Sequence, residues 1–291
     1  MKILNSLPPY DLFGLENGKY EEAKIVVLPV PYDSTSSYKA GSREGPHEII
    51  NASRNIELYN DELNFDISNI GIYTLDELAP DFNSPKGMVN RIEKEVDLIL
   101  SDSKIPLMIG GEHTISIGAV NSFAKIDKDF TYLHFDAHSD SRDEYSGTKY
   151  SHACVIARVN ELVDTYSIGI RSIEEQGMKN SKNILFMKDI HNMTTEQISD
   201  SIIKNSKERI YLSIDFDVLD PSQMPSTGTP EPDGFSFYEL KEILKKVLTK
   251  KQVIGMDFVE LNPIPGIIYP NFLAAKLIYF AIGFSFNKKE D

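Results

Sequence analysis

The sequence predicts an α/β fold in which a mostly parallel sheet is covered by helices on both faces. Seven short apolar runs, rich in β-branched and aromatic residues, alternate with stretches of helical period, which is the pattern of a buried parallel sheet. The chain has 291 residues, which is long for one domain, but no Ser-, Gly- or Pro-rich linker divides it. We therefore predict that residues 1–291 form a single domain.

The predicted strands are the seven apolar runs, in chain order 24–29, 105–109, 130–135, 164–169, 184–187, 209–214 and 253–258. Helices are predicted where apolar residues recur at intervals of three and four, namely at 88–101 and 240–248. Another helix is predicted at 47–55, after a Gly-Pro pair. The apolar helix predicted at 272–284 is short for a membrane span, so we expect it to close the core or an interface.

Six residues of metal-ligand type follow three of these strands: His113, Asp136, His138, Asp140, Asp215 and Asp217. Residues two positions apart in a strand point to the same face, so Asp136 pairs with His138, and Asp215 pairs with Asp217. The carboxyl ends of parallel strands meet at one sheet edge, where α/β proteins bind ligands. Four carboxylates in one cleft would repel each other unless cations neutralised them. The sequence therefore predicts a dinuclear metal site.

The predicted ligands are carboxylate oxygens and imidazole nitrogens, without a thiolate. This set suits Mn²⁺ better than a structural zinc site, with Fe, Co or Zn as alternatives. Two ions at about 3.5–4 Å share a bridging water, lower its pKa and present hydroxide to a substrate. The chemistry indicated is metal-assisted hydrolysis with two Mn²⁺ per subunit.

The predicted ligands lie in three motifs, residues 110–116 (GGEHTIS), 135–140 (FDAHSD) and 213–221 (SIDFDVLDP). Three further segments accompany them, residues 150–152 (YSH), 227–231 (TGTPE) and 256–263 (MDFVELNP). Together they resemble the ureohydrolases, the family of arginase, agmatinase and relatives that hydrolyse a guanidino group to urea and an amine. The resemblance covers nearly the whole chain. It implies a three-layer arginase-like fold with a central sheet of about eight strands.

The resemblance also implies a role for each site residue. His113 and Asp140 would serve one manganese ion, His138 and Asp217 the other, while Asp136 and Asp215 bridge. Glu260 would grip the guanidinium group, because a carboxylate and a planar guanidinium form a bidentate, charge-assisted pair. His152 would shuttle protons, since an imidazole titrates near neutral pH and the leaving amine must be protonated. Thr229 would hydrogen-bond near the substrate, although its turn could equally be structural.

Departures from the arginase pattern favour a substrate without a carboxylate. Arginases hold the α-carboxylate of arginine partly through an Asn- and Ser-bearing loop, whereas the corresponding loop here, 141–151, contains no Asn. We predict an agmatinase that converts agmatine to putrescine and urea by attack of the bridging hydroxide. Alternatives with the same chemistry act on arginine, guanidinobutyrate, aminopropyl-agmatine or a formimino compound. A third hypothesis is a metal-binding protein without hydrolase activity.

The net charge and the cysteine content limit the classes of binding partner and the cellular compartment that we expect for the protein. The net charge of −14 disfavours nucleic acid and anionic membrane, and it favours a cationic guanidino substrate. The single cysteine, Cys154, excludes an internal disulfide and is predicted to be a small buried residue. Residues 1–9 lack the apolar stretch of a signal peptide. We predict a cytoplasmic enzyme of polyamine biosynthesis that forms a homo-oligomer, a trimer or hexamer as in its relatives.

Residues 31–46 form a polar, glycine-bearing loop after the first strand, at the edge where the site is predicted. Asp33 and Tyr38 are candidates to meet the far ammonium group of the substrate, although turn formation explains Asp33 as easily. Three histidines outside the motifs are predicted to be ordinary structural or surface residues: His47, His134 and His191.

Overall fold

The computed structural model describes residues 7–15, 18–180 and 183–286. Its strands are β1 (Ile25–Val30), β2 (Tyr59–Asn60), β3 (Phe65–Asp66), β4 (Ile72–Thr74), β5 (Ile105–Gly110), β6 (Thr131–Phe135), β7 (Asp164–Ile170), β8 (Ile184–Phe186), β9 (Arg209–Asp215) and β10 (Gln252–Val259). Within these residues, eight strands form one sheet in the order β4-β1-β5-β10-β9-β6-β7-β8, and every neighbouring pair is parallel. The strands β2 and β3 form a separate antiparallel pair.

Helices cover both faces of the sheet. They are α1 (Gly45–Ser53), α2 (Pro85–Ser101), α3 (Ile115–Ile126), α4 (Val155–Val159), α5 (Glu175–Asn180), α6 (Met187–Ile190), α7 (Thr195–Asn205), α8 (Phe237–Lys250) and α9 (Tyr269–Phe286). Alternate residues of β1 enter two different apolar cores. Ile25 and Val27 belong to the core that includes residues of α1, α7, α8 and α9, whereas Val26 and Leu28 belong to the core that includes residues of α2, α3 and α4. This alternation is expected for a sheet buried on both sides.

The predicted three-layer fold is confirmed, and all seven predicted strands are present. The strand β4 and the pair β2–β3 were not predicted, because each is two or three residues long and only partly buried. The helix α9 is longer than predicted and closes the core against α1 and α8. In the part of the chain that the structure describes, no helix combines the length and apolarity required to cross a bilayer. The single-domain prediction stays a prediction, and its first six and last five residues lie outside the described ranges.

The strand order places the motif-bearing segments next to one another. The strands β5, β10, β9 and β6 are the central four of the sheet, and each is followed by residues of one motif. The turn after β5 requires glycine, since a Cβ on Gly111 would lie 2.0 Å from the carbonyl oxygen of Tyr32. Two site residues, Asp140 and Glu260, have φ angles of 44° and 66°, a left-handed conformation that is uncommon for residues with a side chain.

Candidate metal centre and active site

The first half of the site surrounds the imidazole of His113, which follows β5 and is fully buried. Its Nδ1 atom lies 3.1 Å from Asp136 Oδ2, 3.3 Å from Asp140 Oδ2 and 3.4 Å from Asp215 Oδ2. Despite these neighbours, Nδ1 has no hydrogen-bond partner among the described residues. A buried polar atom without a partner is rare in folded proteins. The arrangement therefore fits a cation held between this nitrogen and the three carboxylates.

The second half of the site surrounds His138. Its Nδ1 atom lies 2.8 Å from Asp217 Oδ2 and 3.7 Å from Asp136 Oδ1. Asp136 thus turns one carboxylate oxygen toward His113 and the other toward His138, as a bridging ligand would. Asp215 accepts a hydrogen bond of 2.8 Å from the backbone N–H of Asp217, which fixes the turn after β9. The structure brings all six predicted ligands together.

Burial and mutual repulsion change the protonation of this cluster. Burial, together with Asp217 and Asp136, raises the pKa of Asp215 well above its usual range. Burial also raises the pKa of Asp217, although the charge of His138 opposes that shift. Burial alone would lower the pKa of His138, but the carboxylates of Asp217 and Asp136 raise it to about 12. Without metal, burial and repulsion therefore favour the protonated forms of Asp215 and Asp217, and His138 is protonated at neutral pH.

These shifts predict that metal binding displaces protons. Ligand groups must be deprotonated to bind an ion, and His138, with its pKa raised to about 12, carries a proton at pH 7 in the metal-free chain. We expect the affinity for Mn²⁺ to rise between pH 6 and 8, by about tenfold per pH unit for each proton displaced. Titration calorimetry in buffers of different ionisation enthalpy measures the number released. An affinity that is independent of pH would contradict this protonation pattern.

A buried carboxylate supports His113 from behind. The Nε2 atom of His113 lies 3.0 Å from Ser213 Oγ, which donates a hydrogen bond of 2.6 Å to Asp257 Oδ1. The hydroxyl of Tyr211 donates to the other oxygen of Asp257 at 2.8 Å. Hydrogen bonds of this kind orient a histidine so that its other nitrogen faces a metal. These hydrogen bonds, from Nε2 of His113 to Ser213 and from Ser213 to Asp257, leave Nδ1 of His113 pointing into the carboxylate cluster.

His134, which was predicted to be an ordinary structural or surface residue, is buried beside the predicted metal ligands. Its Nε2 atom lies 2.8 Å from Asp136 Oδ2, and its Nδ1 atom lies 3.0 Å from Ser167 Oγ. His134 belongs, with His113, Asp136 and Asp140, to a group of side chains that could hold a metal ion, although both of its ring nitrogens already have hydrogen-bond partners. Burial would raise the pKa of Asp136, but the charge of His134 and the close imidazoles of His113 and His138 lower it well below its usual range. The contact between His134 and Asp136 could have been expected from the sequence, because His134 lies two residues before Asp136 on the same strand face.

The cluster opens into a cleft of about 320 Å³ that is also lined by Glu260, His152 and Thr229. Burial and the neighbouring Glu112 raise the pKa of Glu260 well above its usual range. Glu260 Oε1 accepts a hydrogen bond of 2.8 Å from the backbone N–H of His113. This bond fixes the carboxylate relative to the turn that carries His113. The ring of His152 stands edge-on to that of Tyr145, with 5.8 Å between centroids. Seven of the nine predicted site residues therefore border one cavity, and the other two, His113 and Asp136, contact ligand candidates that line it.

The structure also shows the surroundings of Asp33, Tyr38 and Cys154. The carboxylate of Asp33 is occupied within its own loop, where it accepts hydrogen bonds from Gly41 N at 2.7 Å and from Arg43. Asp33 is therefore not available to a substrate ammonium group, and its role is structural. Tyr38 lines the cleft and is 82% exposed. Cys154 is buried as predicted, and burial raises the pKa of its thiol to about 11, so it is protonated at neutral pH.

Comparison with known proteins identifies the family. Residues 23–283 match the model of the arginase family. The chain is 36% identical over 275 residues to the N(1)-aminopropylagmatine ureohydrolase of Synechocystis sp., covering 91% of this chain and 90% of that protein. It is 33% identical over 257 residues to the agmatinase of Halalkalibacterium halodurans, covering 87% and 88%.

The agmatine ureohydrolase of Thermoplasma volcanium has a similar crystal structure, with a TM-score of 0.88 and 32% identity over 98% of this chain and 96% of that one. These matches confirm the predicted arginase-like fold and the predicted class of enzyme. They extend over nearly the full length of each relative, so they concern the whole catalytic unit and not a shared fragment. The chain belongs to the arginase family.

Proposed function

We propose that this protein hydrolyses a guanidino substrate to urea and an amine, and that the substrate is agmatine, which gives putrescine. The observation that carries the proposal is one cleft that holds a His/Asp cluster suited to metal, the buried carboxylate of Glu260 and the imidazole of His152. A cluster of ligands alone would support only metal binding. The two additional groups supply what a guanidine hydrolase requires, a site for the cation and a group that moves protons.

Two divalent ions fit the residues that are present. The orphaned Nδ1 of His113 and an all-oxygen and imidazole donor set favour Mn²⁺ over metals that prefer thiolates. The proposed ligands are His113, Asp136, His138, Asp140, Asp215 and Asp217. When bound, such a pair supplies Lewis acidity, which lowers the pKa of water and stabilises negative charge in the transition state.

Glu260 is the proposed binding site for the guanidinium group. A carboxylate and a guanidinium match as two parallel, charge-assisted hydrogen bonds, and that geometry holds the trigonal carbon in one orientation for attack. The bond from the backbone N–H of His113 fixes the Glu260 side chain relative to the metal ligands. A cation that binds here relieves the repulsion between Glu260 and Glu112, which favours a positively charged substrate.

His152 is proposed to protonate the leaving amine. We expect His152→Ala to lower kcat by about 10²-fold, the lower end of what a positioned acid contributes, with partial recovery on addition of imidazole. The Mn²⁺ content should equal that of the wild type, because His152 is not a proposed ligand. Steady-state urea release with and without imidazole measures both effects. A wild-type rate in the variant would exclude the proton-transfer role.

Glu174 is the proposed contact for the far ammonium group of agmatine. It lines the cleft, and its buried Oε1 atom has no hydrogen-bond partner among the described residues. Among the described residues, Arg142 forms the ion pair with Glu174, and its Nε atom lies 3.8 Å from the other oxygen. Because a hydrogen bond to a charged group contributes about 1.5–3 kcal/mol, we expect Glu174→Gln to raise KM for agmatine by about tenfold or more.

The same substitution should leave KM unchanged for n-butylguanidine, which lacks the ammonium group. Glu175→Gln is the matched control, since that neighbouring side chain is 89% exposed. An equal loss with both substrates would show that Glu174 acts on the fold of the cleft and not on the ammonium group.

A second candidate substrate is N1-aminopropyl-agmatine. Relatives with this named activity reach 36% identity, against 33% for those named agmatinase. The exposed rim at Tyr38 leaves the cleft open to a longer amine. Comparison of kcat/KM for agmatine, aminopropyl-agmatine, arginine and guanidinobutyrate decides between them. A preference for agmatine supports the first proposal, and a preference for the aminopropyl compound replaces it.

We further propose that the protein acts in cytoplasmic polyamine biosynthesis as a homo-oligomer, a trimer or hexamer. Four apolar residues near the start of α9 are exposed on the isolated chain and support an assembly: Ile267, Ile268, Tyr269 and Phe272. Large exposed apolar residues that adjoin one another commonly mark an interface between proteins. Sedimentation velocity of the purified protein measures the assembly, and a monomer would contradict it.

A further inference from the structure

Thr35, in the loop after β1, contacts Glu112, the residue that precedes the proposed ligand His113. The buried carboxylate of Glu112 receives the backbone N–H of Thr35 on Oε2 at 2.6 Å and the Thr35 hydroxyl on Oε1 at 2.9 Å. The hydroxyl of Thr114 also donates to Oε1, at 2.7 Å. Burial raises the pKa of Glu112, and these hydrogen bonds offset part of that shift. Thr35 is thereby held by both oxygens of one buried side chain.

The hydroxyl of Thr35 also contacts His152. Its Oγ1 atom accepts the backbone N–H of His152 at 3.1 Å and lies 3.1 Å from the ring atom Nδ1. A weaker contact joins Nδ1 to Ser151 Oγ at 3.4 Å. The other ring nitrogen, Nε2, has no hydrogen bond to any residue that the structure describes. His152 is thus fixed at its backbone and at one nitrogen, while the second nitrogen is left for a ligand in the cleft.

The hydrogen-bonding capacity of a hydroxyl determines the direction of these bonds. A threonine hydroxyl has one proton to donate and two lone pairs to accept. The proton of Thr35 goes to the closer and stronger acceptor, the Glu112 carboxylate, and one lone pair accepts the His152 backbone N–H. With its proton committed, the hydroxyl can only accept from the ring, so the 3.1 Å contact with Nδ1 of His152 is a hydrogen bond only when Nδ1 carries a proton.

We propose that Thr35, held by Glu112, is a positioning residue that keeps His152 in the Nδ1–H tautomer and directs Nε2 toward the substrate. The proposal rests on the proposed function, because it concerns the group that protonates the leaving amine. Thr35 does not touch the reacting atoms. In this tautomer Nε2 carries a lone pair, which takes up a proton from solvent and gives the imidazolium. That proton then passes from Nε2 to the amine nitrogen as its bond to the guanidino carbon breaks, and Nδ1 keeps its own proton throughout.

The test substitutes valine for Thr35, which keeps the branched shape and removes the hydroxyl. We expect kcat to fall by roughly tenfold or more, a part of the 10²–10⁴ that a positioned acid contributes. KM and the bound Mn²⁺ should stay at wild-type values. Thr35→Ser restores the hydroxyl and should recover most of kcat. Ser34→Ala is the matched control, because this neighbouring exposed hydroxyl contacts Tyr32 and not His152.

A second readout does not depend on activity. The ¹⁵N shifts of the His152 ring identify its tautomer in the full-length chain, both metal-free and loaded with diamagnetic Zn²⁺. We expect Nδ1–H in the wild type and in Thr35→Ser, and a mixture of tautomers in Thr35→Val. An Nε2–H tautomer in the wild type, or an unchanged tautomer and kcat in Thr35→Val, would overturn the proposal. If the wild type releases no urea from any guanidine, the proposed function fails while the tautomer result still decides the role of Thr35.

Discussion

Asp215→Ala is expected to lose bound metal and urea formation together. The carboxylate of Asp215 is buried, and its Oδ2 atom lies 3.4 Å from His113 Nδ1 at the centre of the cluster. Substitutions that only misorient a ligand cost roughly 10- to 100-fold in metal affinity. Removal of a proposed bridging ligand should therefore cost about 100-fold or more. Elemental analysis of the protein after dialysis against Mn²⁺, together with a urea assay, measures both losses.

The stability of the same variant separates a metal site from a structural one. In the metal-free chain, burial and the charges of Asp217 and Asp136 disfavour an ionised Asp215, so its removal relieves repulsion and the metal-free Tm should not fall. In the presence of Mn²⁺ the variant should melt below the wild type, because a bound ion stabilises the folded state. Asp200→Ala, on the exposed face of α7, is the matched control. Full activity with two bound ions would remove Asp215 from the ligand set.

Glu260→Gln is expected to keep its metal and lose most of its catalysis. The glutamine oxygen can still accept the backbone N–H of His113, so the neighbouring ligand segment should stay in place. However, the side-chain amide presents N–H donors to the N–H donors of the guanidinium and carries no charge. Because removal of one oriented group from a transition-state site typically costs about 10²–10³-fold in kcat, we expect a loss of that order in kcat/KM.

The measurement for this variant combines urea kinetics with metal analysis. Glu196→Gln is the control, since its side chain is 72% exposed on α7 and pairs only with Lys246 among the described residues. Normal turnover in Glu260→Gln would remove Glu260 from the substrate site. A loss of Mn²⁺ in parallel with activity would assign Glu260 to the support of the ligands instead.

Local sequence patterns were sufficient to predict most of the sheet and the proximity of the six proposed metal ligands. The apolar runs and the acidic residues that follow them predicted where strands end, and parallel pairing brings those ends to one edge. The strand β4 was not predicted, because its three residues at the edge of the sheet are too few to show a period. The order of the strands depends on long-range packing and was not predicted; the family resemblance implied only an arginase-like sheet of about eight strands.

Contacts made by loops could not be predicted from the sequence. Asp33 and Thr35 lie in the same polar loop, yet Asp33 bonds within that loop while Thr35 reaches Glu112 and His152, which are 77 and 117 positions away. Neither residue type nor spacing distinguishes these two outcomes, because each depends on how the loop folds over the sheet edge. His134 is different, since its place on the same strand face as Asp136 was available from the periodicity of the strand.

The most direct test of the dinuclear guanidine-hydrolase proposal follows the products formed from agmatine as the metal-free protein is titrated with Mn²⁺. We expect urea and putrescine in equal amounts, at a rate that increases until two ions are bound per chain. Urea formation at full rate without metal would contradict the account. So would the absence of urea from agmatine, aminopropyl-agmatine, arginine and guanidinobutyrate when two ions are bound.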